Sequence, residues 1–434
     1  MTTDNFGLTI SGARPASVEA FNIYGRDLIS YGPRVRSIFE AAGADPDCCL
    51  VNAHAAAVHM ALESASGFKS ARKYVMRARA LARDANDRER EFTAAVHQWW
   101  RGNPDQALKR LRAIVASHPC DIVTAKWAQY LAFNKGDVQA MLDVANIVTV
   151  ARPDVAEAWG MKAFALEQSN DIARAERAAR HALSLNQNEA WAQHAIAHVL
   201  DTQGRIDEGI EFLTSHASGW ADRSTFIREH NYWHLALFHL DRDDHLRALR
   251  VFDEHLWGEW PEFAQEQIGA ISALWRLELR GVSVGERWHP VVEKVLERWH
   301  EHIVPFNDLL FIYALARGGK HQAVGEFLES LDRRGEKDNS GVWDSLVIPC
   351  ARGLAAYAQG RFSVAADALG PLLCRLHLVG GSHAQRDVFV QTWIDAALRA
   401  GQHSAVVDVV ARRAHARPAV RESQRMVQRL SSAA

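Results

Sequence analysis

Small and apolar residues recur at helical spacing along most of this chain, broken by short polar turns. Ala95, Ala128, Ala163, Ala197 and Ala236 each stand twelve positions before a second small residue: Ala107, Ala140, Ala175, Gly209 and Ala248. A turn separates the members of each pair: Gly102-Asn103, Gly136-Asp137, Asn170-Asp171, Gly204-Arg205 and Asp243-Asp244. The second members follow one another at 33, 35, 34 and 39 residues. This register predicts antiparallel helix pairs whose small side chains let the backbones approach. A period near ~34 residues is that of tetratricopeptide-type repeats. The expected fold is therefore all-α, a helical-repeat superhelix of roughly nine helix pairs. No stretch alternates as a strand would.

The register also divides the chain. Residues 1–46 read as an N-terminal lead-in, with a helix from about Ser17 to Ala42. Residues 47–417 read as the superhelix, and 418–434 as a C-terminal helix and tail. The pattern fades after Trp260-Pro261 and returns at 306–331. Each repeat packs on its neighbours, so a chain of 434 residues needs no single large core.

Composition narrows the classes. Lys plus Arg is 50 and Asp plus Glu is 52, a balance that predicts neither a nucleic-acid nor a membrane partner. No apolar run looks long enough to span a bilayer. The five cysteines, an odd number without a C-x-x-C pair, point to free thiols, and with a polar N-terminus the expected location is cytoplasmic. Histidine, at 21, and tryptophan, at 14, are the unusual counts.

Those two residue types fall on one stripe. In this repeat type the first helix of each pair lines the concave face. Trp191, His194, His198 and Asp201 are spaced three, four and three apart, which puts them on one helical face. His230, Trp233 and His234 take the same stripe one repeat on, and Asp308 and Asp387 face inward in later repeats. Neutral imidazoles at i and i+4 on neighbouring helices suit a divalent metal, with His194, His198 and His230 as candidate ligands. They equally suit acid-base chemistry near neutral pH. A histidine at helical spacing also serves simply as a packed, hydrogen-bonded side chain. Trp191 and Trp233 are placed to stack a ligand or to fill space. Gly380-Gly381-Ser382 opens a helix and offers either an anion site or an N-cap, with Arg386 available to hold an anionic group. The chain contains no H-E-x-x-H, no G-x-S-x-G and no Walker lysine.

Five segments resemble the tetratricopeptide repeat protein 38-like family, in the family's order. They are His194-Ala-Ile-Ala-His198, His230-Asn-Tyr-Trp-His234-Leu-Ala-Leu and Gly281-Val-Ser-Val-Gly-Glu-Arg-Trp288, then Phe306-Asn-Asp308 and Gly380-Gly-Ser-His-Ala-Gln-Arg-Asp-Val-Phe389. The resemblance implies a soluble all-α repeat protein and brings no defined activity. Its marker segments are those that the register places on the inner wall.

Two functions follow. The first is a small-molecule enzyme of hydrolase or lyase type, with His194, His198, His230, His234, Asp308 and Asp387 as ligands, bases or orienting groups. Trp191, Trp233, Asp201 and Arg386 would then bind substrate. The second is a repeat scaffold that takes a peptide or protein partner in its concave channel. The inward His, Trp and Asp do not resemble a clamp for acidic peptide tails.

Overall fold

The polar turns bend as the register requires. In the computed structural model, which describes residues 2–338 and 340–433, Gly102, Gly136, Asn170, Gly204 and Asp243 take left-handed φ of 65–77°. That conformation stops a right-handed helix, and Gly, Asn and Asp adopt it at least cost. In three of these turns the next residue caps the following helix. The Asp137, Asp171 and Asp244 carboxylates accept from the backbone N–H of Ala140, Arg174 and Arg247.

The chain forms two compact units. The first comprises residues 1–133, 137–196 and 218–228. It opens with a two-stranded antiparallel ladder, Thr2–Thr3 against Thr9–Ile10, too short to show as an alternating pattern. The lead-in is two helices rather than one, α1 (Pro15–Ser30) and α2 (Ser37–Ala44), separated at Gly32-Pro33. Helix pairs follow: α3 (Cys49–Met60) with α4 (Ala65–Leu81), and α5 (Asp87–Trp100) with α6 (Pro104–Ser117). Next come α7 (Ile122–Asn134) with α8 (Val138–Ala151), and α9 (Ala156–Gln168) with α10 (Ile172–Leu185).

The second unit comprises residues 134–136, 197–217 and 229–434. Two continuous helices carry the chain into it, α11 (Ala190–Thr202) and α13 (Thr225–Asp241), on either side of α12 (Ile206–His216). It continues with α14 (His245–His255), α15 (Ala264–Leu279), α16 (Trp288–Leu296), α17 (Pro305–Arg317) and α18 (His321–Gly335). A π-helical turn, Trp343–Val347, leads into α19 (Ile348–Ala358), which precedes α20 (Phe362–Leu369). The unit ends with α21 (His383–Arg399), α22 (His403–Ala416) and α23 (Arg421–Ala433). Ala434, the last residue of the expected tail, lies outside the described residues.

First and second helices of a pair differ in burial. Residues 191–200 of α11 and 306–316 of α17 are buried without interruption, whereas α10 buries only Ala175, Ala178, Ala179 and Ala182. A helix buried on all sides lies inside, and one with a single apolar stripe lies outside. The small residues of the register sit at the contact. A Cβ on Gly209 would meet the Phe238 ring at 2.3 Å, so that position accepts only glycine without a shift.

One sequence expectation needs correction. Phe362–Val379 is eighteen residues long with a mean hydropathy of 1.3, long and apolar enough to cross a membrane. Only a third of it is buried, and its helix changes from α to 3-10 at Gly370. The five cysteines are free thiols, as expected.

Candidate metal centre

Helices α11 and α13 place histidines one turn apart, and their neighbours leave those rings little room to move. His198, His230 and His234 each offer a ring nitrogen within 4.8 Å of the others, and His194 stands one turn before His198 on α11. His194, His198 and His234 are buried, and His230 is half-buried. The His198 and His234 rings meet edge to face at 4.4 Å, and His230 meets His234 at 5.1 Å. Trp233 lies parallel to His230 at 5.3 Å, and Trp191 is stacked on His194 at 4.2 Å.

Burial sets the charge of these rings. It lowers His230 to about 3, with the His198 imidazole adding to the effect. Burial also holds His234 well below its ordinary value, reinforced by His198, His230 and the Arg276 guanidinium. Neutral imidazoles are the form that binds borderline divalent metals. Asn231, fully buried between His230 and His234 in sequence, has neither amide atom hydrogen-bonded within the described residues. It shares a helix face with His234.

His230 and Trp233 also border a narrow cleft with Gln265, Ser272, Phe306 and Gln385. This is the approach to the half-buried imidazole. The two tryptophans named from sequence therefore stack on histidines, at 8% exposure for Trp191 and 2% for Trp233.

The carboxylates named from sequence go elsewhere. Asp201 accepts from Arg417 at 2.6 Å, and the same guanidinium bonds Asp241. Arg280 donates to Asp241 at 2.9 Å and to Gln391 at 3.1 Å. Asp387 takes a two-pronged pair from Arg413 and a hydrogen bond from Gln391 at 2.6 Å. Burial alone would raise Asp387, but the Arg413 charge outweighs it and holds the carboxyl far below its ordinary range. Burial raises Asp201 to about 6 against the pull of Arg417. The buried Arg276 donates to the Ala384 carbonyl at 2.5 Å and faces the Trp233 ring at 5.4 Å.

Asp308 binds the ring of a histidine that the sequence did not single out. Its Oδ1 is 3.1 Å from Nδ1 of His302, and Nε2 of that ring is 2.8 Å from Oγ of Ser330. Arg386 donates to the carbonyls of Gly380 and Gly381. Ser382 is an N-cap, in a reciprocal capping box with Gln385.

Sequence reasoning thus found the imidazoles and missed Arg276, Arg280, Arg413, Arg417, Asp241, His302 and Ser330. The arginines carry one legible signal, since Arg276 with Arg280 and Arg413 with Arg417 are each spaced i and i+4.

No family model matches the chain. Among solved structures it is similar to the human IFIT1 dimer with PPP-AAAA, at 12% identity and a TM-score of 0.44, over 98% of this chain and 96% of that one. The human IFIT1 dimer with m7Gppp-AAAA matches at 12% identity and 0.45, with the same coverage. Naa15/Naa10 bound to HypK-THB matches at 13% and 0.25, over 96% of this chain and 80% of that one. The tetratricopeptide-type architecture rests on the chain's own helix pairs.

Proposed function

We propose that this protein is a tetratricopeptide-type binding scaffold of the 38-like kind that holds a divalent transition-metal ion on its α11 and α13 histidines. The convergence of ring nitrogens within 4.8 Å carries the reading. His198, His230 and His234 would supply three imidazoles, and one further protein ligand would close a tetrahedral zinc shell, which is the pattern of a structural site. The state of the carboxylates supports the same reading. Asp201 and Asp387 are engaged by arginines and Asp308 by His302, so each carboxylate assigned to catalysis already has another partner. The inner face then serves a peptide or protein partner, and the metal fixes the helices that present it.

One observation favours a second reading. His230 alone of the four is half-buried and borders the cleft beside Trp233. A metal held without His230 would turn an open position toward that cleft and support metal-assisted hydrolysis.

The deciding experiment is elemental analysis of the untagged protein, with His198→Ala/His234→Ala and His230→Ala beside it. Near-stoichiometric zinc, iron or manganese lost in the double variant is the expected result. Metal loss in His230→Ala as well favours the closed structural site, and metal retention there favours the open one. A protein that takes up no metal after incubation with zinc, iron or manganese salts refutes both.

A further inference from the structure

Asp308, His302 and Ser330 form a hydrogen-bonded chain that includes none of the clustered histidines. Asp308 lies in the first turn of α17, Ser330 lies on α18, and His302 lies in the loop before α17. Asp308 Oδ1 to His302 Nδ1 is 3.1 Å, and His302 Nε2 to Ser330 Oγ is 2.8 Å. A carboxylate on one imidazole nitrogen and a hydroxyl on the other is the arrangement that activates a serine for acyl transfer, on whatever fold it occurs.

Three further observations point the same way. His302 adopts φ of 46°, a left-handed backbone that is strained for a non-glycine residue and that collects at functional sites. The Asp308 and His302 side chains are 3% and 6% exposed, so the chain is shielded from water, while Ser330 is half-buried at its outer end. Asp308 Oδ2 is buried with no hydrogen-bond partner within the described residues, so the carboxylate engages the His302 ring through Oδ1. Burial raises the Asp308 carboxyl, and the His302 bond and the Arg334 and Arg298 charges oppose that rise.

We infer that Ser330, His302 and Asp308 are an acyl-transfer relay acting on esters. The Ser330 oxygen attacks the ester carbonyl carbon while its proton passes to His302 Nε2. Collapse of the tetrahedral adduct breaks the carbon–oxygen bond to the alcohol, which leaves with that proton. Water then repeats the sequence, giving its proton to His302 and releasing the acid and a free Ser330. Asp308 is a positioning residue that holds the Nδ1–H tautomer. The rings of Phe327, at 5.2 Å, and Trp343, at 6.3 Å, border the imidazole and suit an apolar acyl group. Arg334, one turn after Ser330 on α18 and stacked over Trp343 at 4.7 Å, is a nearby cation for developing negative charge.

The test uses a fluorophosphonate probe and p-nitrophenyl butyrate on the full chain, with and without a chelator. The expected result is an adduct mapped to Ser330 and turnover insensitive to chelation, which separates this site from the metal centre. Ser330→Ala abolishes both signals, and His302→Ala lowers turnover about 10²-fold or more. Asp308→Asn keeps the Ser330 hydroxyl yet shifts the pH profile of turnover, which a merely structural aspartate would not do. Thermal melts of each variant report folding. An unlabelled wild-type protein, or labelling that survives in a folded Ser330→Ala variant, overturns the inference.

Discussion

His54 shows how much a single buried polar side chain commits to one protonation state. It lies in the first unit, 1% exposed and stacked on Phe92 at 4.1 Å. Its Nδ1 accepts from Trp127 Nε1–H at 3.3 Å and lies 2.9 Å from the Tyr24 hydroxyl. An indole N–H only donates, so Nδ1 carries no proton and the ring is neutral. Burial, and then the Arg88 charge, hold His54 well below its ordinary value of 6.5. Folded protein therefore resists a proton that the unfolded chain accepts below about pH 6.5. Stability from this residue is full above that pH and falls as the solution is acidified toward the folded value. Melting temperature is expected to decline from pH 7 to pH 5, with a shallower decline in His54→Gln. Equal slopes in the two proteins would show that His54 is not the titrating group.

At the scale of the element, what could be read from sequence was what local chemistry alone decides. Each repeat turn needs a residue that tolerates left-handed φ and then one that caps a helix, and few residue types do either. Asn170 with Asp171 and Asp243 with Asp244 satisfy both demands without a glycine. Asp171→Ala removes the hydrogen bond to Arg174 and should cost about 1 kcal/mol, measured by urea unfolding. No change in the midpoint would mean that water replaces the cap fully. The faded region around α15 was harder because that helix is buried almost all round, so no polar face marks its phase. The candidate imidazoles were legible because i and i+4 spacing is a local property. The arginine partners of Asp201 and Asp387 were not, since Arg417 and Arg413 lie on other segments. The carbonyl acceptors of Arg386 are backbone atoms and leave no mark in the sequence.

For the chain as a whole, among the described residues, the hydrogen bond that spans the most sequence is ionic. Within the second unit Arg417 bonds Asp201 and Asp241, 216 and 176 residues away, and Arg280 completes the link to Asp241. Removing one partner from a buried set leaves the others charged and uncompensated. Arg417→Met is therefore expected to destabilise the protein by about 3–5 kcal/mol, more than a surface ion pair would. Chemical denaturation at low and high salt checks this, since a buried network should respond weakly to added salt. A loss below 1 kcal/mol would place Arg417 among the solvent-screened pairs.

That network also imposes an order on synthesis. Helix pairs whose turn and aspartate cap lie within one repeat can begin to close as they leave the ribosome. Asp201 must wait for Arg417 and Asp387 for Arg413, whereas Asp241 meets Arg280 earlier. A chain cut before Arg413 would keep its earlier repeats but leave Asp201 and Asp387 set in place for guanidinium partners that it does not carry.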